Sequence, residues 1–295
     1  MIQWDIVRSY SFLLIALATF LLASSTGMIG TISVLKRQSL IGDAIGHAAY
    51  PGIILGFMWA LTKSPLALLT GAMLTGSVAF LLIQLIHHYS KLDLDAILAI
   101  VLSTFFGLGM VFKSWIQGHP IYATQSQSGL NNYIFGQAAY IMEQDVAVIL
   151  CVSALTLMLF GIFYKEIKVF VFDEIYAKTL GISSSFIYFL TMIMTMSLIG
   201  VGLKLVGTIL VASLLIFPTV IARQWSDRFH RVILIAGLFG GLSAVVGTYF
   251  STAYRGLSTG PMIIVMMAVF SFISFIFAPR GLIARHLRKR KEQLQ

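Results

Sequence analysis

Two side chains able to hold a cation stand four residues apart in the segment KRQSLIGDAIGHAAYPG, residues 36–52: Asp43 and His47. Spacing of i, i+4 puts both on one face of a helix. Carboxylate plus imidazole is a donor pair for a divalent transition metal. The surrounding stretch is apolar, and a charge inside a membrane segment costs roughly 2.5–3.5 kcal/mol on insertion scales, so such a residue ordinarily lines a path or a site. Gly42, Gly46, Pro51 and Gly52 flank the pair. The helix could break there or expose carbonyls, as transporter binding segments do. A second reading stands beside this one: a hydrogen-bonded Asp–His pair that pins two helices together. Spacing alone leaves both open.

The elements that must position the pair are membrane helices. The chain of 295 residues is 58% hydrophobic and 11% charged, whereas a soluble domain carries about 25% charged residues. Its mean hydropathy is +0.92, and several apolar runs reach the roughly 20 residues a bilayer crossing needs. The run from Tyr10 lacks a basic n-region and a small-residue cleavage site, so it is expected to be a span and not a removable signal peptide. The single cysteine, Cys151, excludes an intramolecular disulfide and a thiolate cage.

Hydropathy predicts spans near 10–34, 40–61, 65–87, 95–116, 143–164, 184–203, 205–224, 232–253 and 260–278, with eight the alternative count. The division of 184–224 into a pair is the weakest of these. Fifteen Lys and Arg residues fall on one set of loops and five on the other. The positive-inside rule then puts the C-terminus in the cytoplasm and, with nine spans, the N-terminus outside. The net charge of +9 is concentrated on those cytoplasmic loops and in the basic tail 279–295, where anionic lipid headgroups attract it. No aromatic-basic module accompanies the charge, so no nucleic-acid partner is expected.

Two loops exceed simple connections. Residues 117–142, with His119 read as a surface histidine, face outside, and their semi-apolar YIFGQAAYI stretch is expected to dip back onto the membrane. Residues 165–183 are cytoplasmic and contain Asp173, Glu174, Ala177 and Gly181. Acidic residues complement a helix start, a small Ala permits close packing, and Gly ends the helix. Such a short helix suits docking into a groove on a soluble partner; a capped interfacial helix without a partner is the alternative. On the outer side, Arg255 is expected to face an acidic patch of a delivering protein.

No GxxxxGK[ST], HExxH or GxSxG pattern occurs. There is no recognisable ATP site or hydrolytic centre, so the chain is expected not to be an enzyme, and any engine must be another subunit. The segments KRQSLIGDAIGHAAYPGI, LDLDAILAIVLSTFFGLGM, GLNNYIFGQAA, FDEIYAKTLGI, KLVGTILVASLLIFPTVIAR and GLSTGPMIIV nevertheless follow one another in a familiar order. From about Lys36 to Pro279 the chain resembles the membrane permease subunits of bacterial metal-ion ABC importers, the manganese, zinc and iron family.

The resemblance implies an all-α polytopic bundle of the cobalamin-importer (type II) kind, a single transmembrane permease domain over 1–295 in the bacterial cytoplasmic membrane. It implies a second permease protomer, identical or related, an ATP-binding cassette ATPase, which binds the ATP, and an extracytoplasmic metal-binding protein. Asp43 and His47 match the family's membrane-embedded metal ligands. Asp173, Glu174, Ala177 and Gly181 match its cytoplasmic coupling helix, within 165–183. Asp95 matches a family aspartate, read here as structural and as a partner for His87 or His88. No cofactor is expected on this chain beyond the transported divalent metal. Two protomers could offer two oxygens and two nitrogens, a set suited to manganese, iron or zinc and too nitrogen-rich for magnesium or calcium. A siderophore or cobalamin permease would share the fold without needing the ligand pair, and an ion-coupled secondary transporter would place more charges within its spans.

Overall fold

Helix boundaries follow local chemistry. The computed structural model describes residues 7–62, 64–123, 142–254, 256–284 and 286. The stretch expected to dip back onto the membrane, Arg255, Arg285 and the tail beyond 286 lie outside the described residues. The Oγ of Ser9 accepts from the Phe12 N–H and starts α1, Tyr10–Leu35. α2 runs Ile41–Ala60; Pro65, which needs no donor at a first helical position, opens α3, Pro65–Tyr89. α4 spans Leu94–Gly118 and is followed by the single turn α5, Pro120–Ala123. α6 is Glu143–Ile162, and the short α7, Tyr164–Phe172, and α8, Glu174–Thr179, follow it. Ser183 caps α9, Ser184–Val206, through the Phe186 N–H. α10, Thr208–Trp225, α11, Phe229–Ala253, and α12, Thr259–Phe277, complete the chain.

Every described regular element is a helix. The long helices coincide with the nine apolar intervals to within three residues at either end. The doubtful division falls at Gly207, whose φ of 81° separates α9 from α10. Seven of the described helices are long and apolar enough to cross a membrane. α2 is not among the seven, because Asp43, His47 and Pro51 lower its hydropathy, nor is α10, whose apolar part is Val211–Trp225.

The helices pack in two groups. α1, α10, α11 and α12 pack on one another, α2 packs on α3 and α4, and α9 touches both sets. The α2–α3 crossing is held by backbone proximity. A Cβ on Gly52 would sit 2.0 Å from the Gly71 carbonyl oxygen, and one on Gly71 would sit 2.1 Å from that of Gly52. Only glycine permits that approach, which lets dispersion between backbones hold a pair that lipid does not drive together. Within the other group, buried hydroxyls bond between helices: Thr19 with Thr248 and Thr31 with Thr219, both at 3.1 Å.

Candidate functional site

α2 carries Asp43 in its first turn and His47 one turn later. The helix runs unbroken through Pro51, so the expected break at the Gly/Pro cluster does not occur. The ring nitrogen of Pro51 has no hydrogen, which removes the i+4 donor from the carbonyl of His47. The tight Gly52–Gly71 crossing lies one residue further on.

The pair is close without being bonded. His47 Nε2 lies 3.6 Å from Asp43 Oδ1, beyond hydrogen-bond range. Two donors on a tetrahedral ion, each at about 2.1 Å, are about 3.4 Å apart, so a small side-chain rotation brings both onto one metal. The Asp43 side chain is 36% exposed and that of His47 14%, a depth reachable by an ion. Among the described residues neither makes a hydrogen bond to a second helix. The edge of the Phe106 ring from α4 holds the imidazole, with centroids 5.0 Å apart at 89°. His47 Nδ1 and the hydroxyl of Tyr50 are both buried without a partner, and Phe106 flanks both rings. No cluster of three or more His, Cys, Asp or Glu occurs among the described residues, so the chain supplies this site with two such donors.

The second predicted group is brought together at α8. Asp173 is its N-cap, and Asp173 Oδ1 accepts from the Tyr176 N–H at 2.8 Å. The Gly181 N–H donates to the Lys178 carbonyl at 3.1 Å and the Ile182 N–H to that of Ala177 at 3.0 Å, a Schellman closure. Gly181 provides the left-handed φ of 77° that this closure needs. Ala177 is wholly buried within the chain, so the small residue serves its own packing and not a partner's groove. Ile175, Tyr176 and Leu180 are the exposed apolar residues of the turn.

Glu174, itself exposed, pairs with two lysines. Its Oε2 lies 3.3 Å from Lys36 Nζ and its Oε1 3.4 Å from Lys178 Nζ. The sequence pattern marks Lys36 only as a cytoplasmic charge. Asp95 is also corrected: it is exposed in the first turn of α4 and forms no ion pair with His87 or His88. A carboxylate there is already favoured by the helix N-terminus. His119 caps α4 and packs between Trp115 and Tyr122, away from the pair on α2.

These features define a class: an all-helical, multi-span membrane protein with an open ionisable pair on a bundle helix and a capped surface helix. The chain belongs to the ABC 3 transport family, whose model matches residues 9–278. It is 35% identical over 281 residues to the zinc transport system membrane protein TroC of Treponema pallidum, covering 95% of this chain and 93% of that one. It is 41% identical over 271 residues to the manganese transport system membrane protein MntC of Bacillus subtilis. That match covers 92% of this chain and 62% of the longer relative. Among solved structures, PsaBC from Streptococcus pneumoniae in complex with Fab superposes with a TM-score of 0.84 at 27% identity, covering 97% of each chain.

Proposed function

We propose that this chain is the permease subunit of an ATP-driven importer that moves a divalent transition metal, manganese, zinc or iron, across the bacterial cytoplasmic membrane. The observation that carries the reading is the Asp43–His47 pair, two donors at metal-bridging separation on one bundle helix. The pair is the pathway site, and a second permease protomer completes the coordination. Two donors per chain hold the ion loosely enough for release. The chain binds no cofactor of its own beyond this cargo.

The cargo arrives from an extracytoplasmic metal-binding protein and leaves on the cytoplasmic side. There the face of Ile175, Tyr176 and Leu180 meets a separate ATP-binding cassette subunit, which binds and hydrolyses ATP. Eight to nine spans in a type II bundle, a cytoplasmic C-terminus and a lipid-facing basic tail complete the arrangement. The relatives named for manganese and zinc transport support the substrate class.

Reconstitution of the chain with its cassette subunit and binding protein in liposomes tests this directly. Uptake of manganese, zinc or iron that requires ATP, with none of magnesium or calcium, is the expected result. Failure of the chain to co-purify with a cassette subunit would overturn it.

A further inference from the structure

The ion pair between Lys36 and Glu174 joins parts of the chain that are remote in sequence and different in role. Lys36 is the C-cap of α1, and its N–H donates to the Ile32 carbonyl at 3.0 Å. Arg37 follows at φ +59°, an unusual left-handed conformation for a residue with a side chain. Ile41 then begins α2, two residues before Asp43. Glu174 belongs to α8, which packs on α7 and α9. The Lys36 side chain is only 16% exposed, and its ammonium sits 3.4 Å above the centre of the Phe170 ring while it reaches Glu174.

We propose that Lys36 is a positioning residue for transport: its ammonium, held by Glu174 and seated on Phe170, ties the capped helix α8 to the turn from which the Asp43–His47 helix starts. This rests on the reading of α8 as the surface that meets the cassette subunit. Three observations carry it. The Asp173 cap and the Gly181 closure make α8 a stiff body, so a push on its outer face moves Glu174 with it. A largely buried ammonium that loses its carboxylate is left uncompensated, which is costly, so the Lys36 turn follows the helix. Burial pushes the Lys36 ammonium down from its ordinary range while Glu174 opposes the shift, in keeping with a charge that depends on this partner. A cleft lined by Lys36, Gln38, Ile41, Ile45, Phe80 and Tyr188 lies beside the turn.

The test uses the full chain reconstituted with its cassette subunit and binding protein, and reads manganese taken up per ATP hydrolysed. Lys36→Met should lower that ratio about ten-fold, within the usual range of coupling between sites. Lys36→Arg, which keeps the cation and the ring contact, should restore it. Glu174→Gln should lower the ratio similarly, and the double variant Lys36→Met/Glu174→Gln should be no worse than either alone. Should Lys36→Met fail to accumulate, Glu174→Gln reads the same quantity. A structural role would change the amount of assembled complex and leave the ratio untouched. A wild-type ratio in both single variants, or losses that multiply in the double variant, overturns this proposal alone. A wild-type chain that neither binds the cassette subunit nor moves manganese overturns the reading beneath it and this proposal too.

Discussion

The face of α2 and the turn around α8 handle polar groups in opposite ways. On α2 the Asp43 and His47 donors approach to 3.6 Å without bonding, His47 Nδ1 and the Tyr50 hydroxyl are buried without partners among the described residues, and Pro51 brings no N–H. Around α8 the Asp173 carboxylate caps, the last carbonyls are closed by Gly181 and Ile182, and Glu174 holds two lysines. Buried polar groups are normally satisfied, so open ones call for a reason, although Glu166 Oε2 on α7 and several hydroxyls elsewhere are open as well. Satisfied ones make an element that moves as a unit. The first arrangement suits binding and the second suits transmission.

The largest effect should come from breaking the frame under both. In Gly52→Leu the new side chain meets the Gly71 carbonyl and Thr75, so the chain should lose about 3 kcal/mol of stability, at the upper end for overpacking. Thermal unfolding in detergent reads it. Next, Asp43→Ala or His47→Ala should lower metal uptake at least about 100-fold, since loss of even a ligand's outer partner costs 10–100-fold. Unfolding of the metal-free chain should change little in Asp43→Ala, whose carboxylate makes no hydrogen bond among the described residues, while His47→Ala gives up only the Phe106 contact. Stability that falls along with uptake in both variants would return the pair to a structural role.

Gly181→Val should cost about 1–2 kcal/mol through the left-handed backbone at that position. Hydrogen exchange should show it as lost protection confined to α8, with metal binding on α2 retained. Equal loss of protection on α2 would mean the two regions are not separable. The smallest effect belongs to a contact away from both. Thr31→Val removes the bond to Thr219 and should cost about 0.6 kcal/mol, with uptake unaffected.

Sequence patterns reached the helices and the donor pair because both are local signals. Apolar run length sets where a helix crosses, and i, i+4 spacing sets which residues share its face. The sequence missed what depends on distant packing. Lys36 and Glu174 are 138 residues apart, and nothing in the local pattern of either marks the other as a partner. Nearness along the chain misled at Asp95, where two histidines close in sequence take no part. Glycine and proline around the pair pointed to a broken helix. Instead, Gly52 serves the crossing with α3 and Pro51 removes a single donor. Ala177 was legible as a small residue at a packing point, but not that the packing lies inside its own chain.

If Asp43 and His47 hold the ion in the pathway, an imidazole nitrogen is bonded to the bound metal. Manganese bound to the purified complex can be examined by pulsed electron paramagnetic resonance, which detects nitrogen directly coordinated to the metal. An imidazole nitrogen coupling is expected in the wild type, lost or diminished in His47→Ala and kept in Gly181→Val. An unchanged nitrogen coupling in His47→Ala would contradict that role for the pair.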